Sequence, residues 1–175
     1  MSAEIIELDE VDGLGAGAIG EPGHRAFYIQ ARTEDTQLTV LVEKEQVDLL
    51  ATEAVAFLDQ IAERYPELPF DLPSTQSALR EPTVPLFRAR LIGLGFDTER
   101  ELVLIELRER SEDDDAEADE ADDEEEGYVA RIYATRAQVR AMAARGAEAV
   151  AGGRPPCPLC EQPMDPSGHQ CPRWN

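Results

Sequence analysis

The chain has 175 residues, 37 of them acidic and 16 basic, for a formal charge of −21. That length suits one domain of roughly 100–150 residues with appendages. The negative field disfavours nucleic acid and anionic membrane surfaces, both of which are held by clustered Lys and Arg, and Lys44 is the single lysine. No run of about 18 apolar residues occurs, and the N-terminal stretch lacks a basic start followed by a hydrophobic segment. Neither a transmembrane helix nor a signal peptide is therefore expected, and the expected location is cytoplasmic.

In chain order, Glu4 to Val11 alternates around Ile6 and Leu8 and reads as a first strand. Gly15-Ala16-Gly17-Ala18-Ile19-Gly20 then matches G-x-G-x-x-G, but Glu21-Pro22-Gly23 follows where a phosphate-binding helix should begin. Without that helix N-terminus the dinucleotide reading loses its physical basis, and the glycines read as a turn or bulge. Ala26 to Arg32 and Gln37 to Glu43 are β-rich runs joined by Thr33-Glu34-Asp35-Thr36, a hairpin. From Lys44 the period changes. Val47, Leu50, Ala51, Ala54, Phe57, Leu58 and Ile61 recur at helical steps, so a helix over roughly 45–64 should lay this face on the sheet, ending before Pro66. Residues 66–85 carry Pro66, Pro69, Pro73, Pro82 and Pro85 and read as a proline-rich linker crossing the surface.

A second set follows: strand-like Leu86 to Leu94, Leu102 to Arg110 and Tyr128 to Ala134. Thr135-Arg136-Ala137-Gln138 is a capping box, and Val139, Met142, Ala143, Gly146, Ala149 and Val150 form the buried stripe of a second helix that Gly152-Gly153 stops. Between the last two strands, Glu112 to Glu126 holds twelve acids in fifteen residues. Such a block repels itself and buries nothing, so 111–127 is expected to be a disordered acidic loop. A solvated spacer is the plainest reading; a decoy for a basic partner or a weak divalent-cation sponge are the alternatives, and EF-hand spacing is absent. The halves share an order of three strands and a helix, and a shift of 92 residues lays Lys44-Glu45-Gln46-Val47 on Arg136-Ala137-Gln138-Val139. The expectation is an α+β domain over 1–153, with a largely antiparallel six-stranded sheet, two helices packed on one side and a possible β-β-β-α duplication, followed by a tail at 154–175.

All three cysteines lie in that tail, at Cys157, Cys160 and Cys171, with His169 beside the last, giving C-x2-C-x8-H-x-C. An odd, clustered set in a reducing compartment argues for metal rather than disulfides. The first pair converges from a tight turn, and His169 and Cys171 point the same way from an extended segment. Four N/S ligands with no open position describe structural Zn2+ in a zinc-knuckle-like tail. A redox Cys-Pro-Leu-Cys pair is the main rival, although it calls for a helix N-terminus that this proline-rich setting lacks. No nucleophile with a partner histidine can be assembled, so catalytic residues are not assigned.

Gly20-Glu21-Pro22-Gly23-His24-Arg25-Ala26-Phe27-Tyr28-Ile29-Gln30-Ala31, Val42 to Val47, and the tail motifs Gly153 to Cys160 and Gly168 to Arg173 resemble an actinobacterial conserved-hypothetical family, a domain of unknown function, over essentially the whole chain. The resemblance implies a place among a trio of uncharacterised proteins, the others like a histidine phosphatase and a phosphatidylinositol kinase, and so a shared pathway. It supplies no catalytic residues, and the glycine usual after the second cysteine is Glu161 here. Two functions follow as expectations. One is a non-catalytic zinc-stabilised adaptor or regulator that presents Arg173 and Trp174 to a protein partner. The other is an enzyme or small-anion-binding protein with a pocket near Gly20, His24, Arg25 and Lys44.

Overall fold

The computed structural model describes residues 3–109, 127–165 and 167–174, so the acidic block at 112–126 lies outside the described residues. Strands β1 (Glu4–Leu8), β2 (Gly13–Ile19), β3 (Ala26–Arg32) and β4 (Gln37–Val42) lead into α1 (Lys44–Arg64). Strands β5 (Phe87–Arg88), β6 (Leu91–Asp97), β7 (Leu102–Arg108) and β8 (Tyr128–Ala134) lead into α2 (Arg136–Ala151). The α+β class and both helices agree with the sequence reading, but the single six-stranded sheet does not. There are two four-stranded sheets, ordered β1-β8-β7-β6 and β2-β3-β4-β5.

The division has a physical origin in the leading strand of each half. Strand β1 leaves its own neighbours and pairs in parallel with β8, Glu4 opposite Tyr128 through Leu8 opposite Ile132. Strand β5 does the reciprocal thing and pairs in parallel with β4, Val40 opposite Phe87. Matching hydrogen bonds hold both exchanged strands. The Val11 amide donates to the Tyr133 carbonyl at 3.1 Å and the Ala89 amide to the Leu41 carbonyl at 2.9 Å. Gln138 Nε2 donates to the Val11 carbonyl at 2.6 Å, and Gln46 Nε2 to the Ala89 carbonyl at 3.2 Å. Leu41 and Tyr133, like Gln46 and Gln138, are separated by the same 92 residues that align the helix starts. The glutamine of each capping box therefore works twice: its Oε1 accepts from the N-cap amide, at 2.8 Å in both helices, while its Nε2 fastens the strand received from the other half.

The helices pack against one another and against both sheets, α1 reaching β3 and β6 and α2 reaching β2 and β7. Val47, Leu50, Ala54, Leu58 and Ile61 of α1 and Val139, Met142 and Ala143 of α2 are buried in one core with Leu14, Ile29 and Val40 of the first sheet and Val103, Ile105 and Ile132 of the second. Apolar burial on this scale is the main stabilising term of the fold.

The glycine-rich stretch is strand β2, not a turn. Gly13, Gly15 and Gly17 alternate with Leu14 and Ala16, so one face of the strand is bare, and the proline-rich segment lies on that face. A side chain at Gly15 would stand 2.4 Å from the Ser77 carbonyl oxygen. Glycine thus serves close backbone approach here. The segment at 66–85 is bound rather than loose. Arg32 donates to the carbonyls of Ala78 and Gln76 at 3.0 and 3.1 Å, and Gln30 both donates to the Arg80 carbonyl at 2.9 Å and accepts from the Arg80 amide at 2.8 Å. The run read as Leu86 to Leu94 is likewise divided, with β5 in one sheet and β6 continuing through Gly95 to Asp97 in the other.

Candidate metal centre

Helix α2 delivers the chain to the tail. Its last turn leaves carbonyls without intrahelical partners, and Arg25 Nη1 donates to one of them, Ala149 O, at 2.6 Å. A cation at the negative end of the helix is favourable, and it ties the β2–β3 connection to the point where the tail begins. Arg154, two residues beyond the glycine stop, pairs with Asp165 at 2.9 Å and folds the tail back on itself.

The tail then makes two turns. The Cys157 amide donates to the Gln162 carbonyl and the Glu161 amide to the Cys157 carbonyl, both at 2.8 Å, closing a knuckle around the first two cysteines. Pro156 faces Pro163 across its base. In the second turn the Gly168 amide donates to the Asp165 carbonyl at 3.0 Å, and the Trp174 amide donates to the Cys171 carbonyl at 3.0 Å. Arg173 Nη1 joins the turns by donating to the Leu159 carbonyl at 3.0 Å.

These turns converge four donor atoms. Cys157 Sγ lies 3.8 Å from Cys171 Sγ, Cys160 Sγ lies 3.1 Å from His169 Nε2, and all four ligand atoms fall within 4.8 Å of one another. A regular tetrahedron of ligands about 2.3 Å from a central ion has edges of about 3.8 Å. The separations are on the scale of that edge, so the cluster is of a size to hold one metal ion. The cysteines are free thiols, and their separation is far beyond the disulfide length of about 2.05 Å.

The knuckle also prepares a ligand for metal. Amide groups of Cys160 and Leu159 hydrogen-bond the Cys157 sulfur and hold its pKa at about 6, against an ordinary 9.0. Cys160 moves the other way, raised by burial and then by its sulfur neighbours. The lowered value favours the thiolate at Cys157, the form a metal ligand must take, and a bound cation would draw off the remaining protons. Cys157 is 5 % exposed and its three fellow ligands are half-buried, so the centre sits beneath the tail surface.

The four residues that the sequence put forward as ligands do come together in one cluster, and they lie within 15 residues of chain. Sequence reading was less successful with the anion pocket. Arg25 and Lys44 line one cleft, but Gly20 and His24 do not; Arg88 and Arg154 stand there instead. Arg88 arrives through the parallel pairing of β5 with β4, for which no local sequence signal exists. The element that follows the G-x-G-x-x-G stretch is strand β3, not a helix whose N-terminus could receive a dinucleotide phosphate.

The fold and site define an α+β protein with a C-terminal Cys3His cluster able to hold a metal ion. The chain belongs to the family described as protein of unknown function (DUF3090), whose model matches residues 6–171. Comparison with curated proteins and with solved structures finds no similar chain. No helix among the described residues is long and apolar enough to cross a membrane.

Proposed function

We propose that this is a cytoplasmic zinc-binding protein in which Cys157, Cys160, His169 and Cys171 hold a structural Zn2+, and that it acts as a non-catalytic adaptor or regulator. The observation that carries the reading is the closed donor set: a soft N/S ligand shell with tetrahedral edges favours zinc, and four protein ligands leave no site for water or substrate. The metal's role is to fix a short tail, 154–175, that has few apolar residues to bury and acts as its own small unit beside the 1–153 domain.

Fixing the tail presents a surface. Trp174 is 80 % and Leu159 46 % exposed, and both line a hollow of about 550 Å3 with Pro22, Pro158 and Met164. An aromatic and aliphatic groups set beside a rigid turn suit a protein partner. Arg173, engaged with Leu159, braces this surface rather than reaching from it. The histidine-phosphatase-like and phosphatidylinositol-kinase-like proteins implied by the family resemblance are the partners to test.

The deciding measurement is elemental analysis of freshly purified protein. About one zinc per chain is expected, lost in the Cys157→Ser/Cys160→Ser variant together with the ordered tail. Protein free of metal on purification overturns the reading.

A further inference from the structure

We infer that the cleft between the first turn of α1, the ends of β3 and β4, strand β5 and the start of the tail is a binding site for a small dianionic ligand, a phosphate monoester. The cleft holds about 460 Å3 and is lined by Arg25, Lys44, Arg88 and Arg154 against only two carboxylates, Glu43 and Glu45. With Asp165 counted as the partner of Arg154, four cations face three carboxylates, a local positive excess in a chain whose formal charge is −21. By contrast, the polar hollow beneath the β3–β4 hairpin mixes Arg32 and Arg80 with Asp12, Glu34 and Asp35. Four of the chain's 16 basic residues come from four separate places in the sequence to one cavity, and gathering like charges costs energy unless an anion is drawn in.

The pairings already made leave capacity for a ligand. Arg88 is paired with Glu43, Arg154 with Asp165, and Arg25 donates through Nη1 to Ala149 while its guanidinium stands 5.0 Å from the Phe27 ring centre. Lys44 has no ion pair or hydrogen bond among the described residues, so its ammonium is the group a ligand would meet first. It is the first residue of α1, where the partial positive charge of the helix N-terminus adds to its own. Arginine supplies planar two-pronged donation and lysine a point charge, the combination used on phosphoryl oxygens.

Charge and size set the ligand class. Two-pronged arginine donors beside a lysine ammonium suit the oxygens of a phosphate monoester, which carries about two negative charges near neutral pH. A nucleic acid or a phosphate-bearing membrane would meet a chain of formal charge −21, whereas a small molecule need only enter the cleft. The volume falls in the usual range for small-ligand sites, and Leu41, Val42 and Pro163 offer apolar lining for the organic part. Arg25, Lys44 and Arg88 come from the 1–153 region, while Arg154 and Pro163 bring the start of the tail into the lining, so the site stands apart from the four-residue cluster but shares the tail with it.

Calorimetric titration of the full, metal-loaded chain at low salt, with inorganic phosphate and glycerol 3-phosphate as probes, tests the inference. Saturable one-site binding in the millimolar range or tighter is expected for both. Lys44→Ala and Arg88→Ala should each weaken it about tenfold, and Lys44→Arg should retain it. Arg100→Ala, which removes a surface pair with Asp9 away from the cleft, should leave binding unchanged. Circular dichroism and zinc content of the same samples separate loss of the site from loss of the fold or the tail. The inference is overturned if no saturable binding occurs, if folded Lys44→Ala/Arg88→Ala protein binds as well as the parent, or if succinate binds as tightly as phosphate.

Discussion

Glu161 stands where the knuckle turns, at a φ of 62°, in the left-handed region that favours glycine. The sequence had marked this position because a glycine is usual there, and the conformation supplies the reason: a Cβ is tolerated at a cost of about 1 kcal/mol. Glu161→Gly should therefore stabilise the knuckle by about that amount. A competition titration with a chelator would read it as metal affinity raised several-fold, and unchanged or weaker affinity would show that the turn carries no strain the metal site feels. At the same scale Cys157 shows how backbone geometry makes chemistry, since two amides lower its pKa and favour the thiolate, the form in which a cysteine can bind metal. Thr135 and Gln138 were legible for a similar reason: their hydrogen bonds span three residues, and local bonds need only local sequence.

Among the elements, the pairing of β7 with β8 places Glu106 opposite Arg131. Glu106 accepts from Arg131 Nε at 2.9 Å and from Arg108 Nε at 2.7 Å. Burial pushes its pKa up, but the hydrogen bonds and charges of the two arginines outweigh that and hold it below the ordinary 4.5. A depressed carboxyl pKa adds stability that is fully present above the unfolded-state value and is lost as pH falls through the folded one. Glu106→Gln should thus destabilise the protein by about 1 kcal/mol at neutral pH, and the difference should vanish in acid once both forms are uncharged. Urea denaturation at several pH values would check this; a difference that persists at low pH would assign Glu106 a packing role instead. The elements also mark where periodicity misleads. Strand β2 was hidden because its glycines suggest a turn, while its real requirement, space for the Gln76–Leu79 segment, comes from residues some sixty positions away.

For the whole molecule, charge separates into two parts. Without the twelve acids of 112–126, 25 acidic side chains face 16 basic ones, a balance of −9. The flanks of the block are already joined, because the Glu109 amide donates to the Tyr128 carbonyl at 3.0 Å and Glu109 Oε2 accepts from the Tyr128 amide at 3.0 Å. Replacing 111–126 with a short glycine-containing turn should leave the melting temperature unchanged or slightly raised, since a shorter connection costs less to close and self-repulsion falls. A drop of more than several degrees in a thermal melt would give the acidic block a structural role.

The sequence by itself determined the two helices, the capping box that starts the second, the hairpin of β3 and β4 and the four members of the Cys3His cluster. Each rests on a period, a short hydrogen bond or a ligand spacing confined to a short stretch of chain. Only the tertiary structure decided that β1 and β5 change places between the halves, so that one six-stranded sheet became two of four strands, and that Arg25, Lys44, Arg88 and Arg154 share a cleft. The parallel pairings join residues 124 apart in β1–β8 and 47 apart in β4–β5, and such distant partners leave no mark on the local pattern of either strand, which reads alike whichever neighbour it takes.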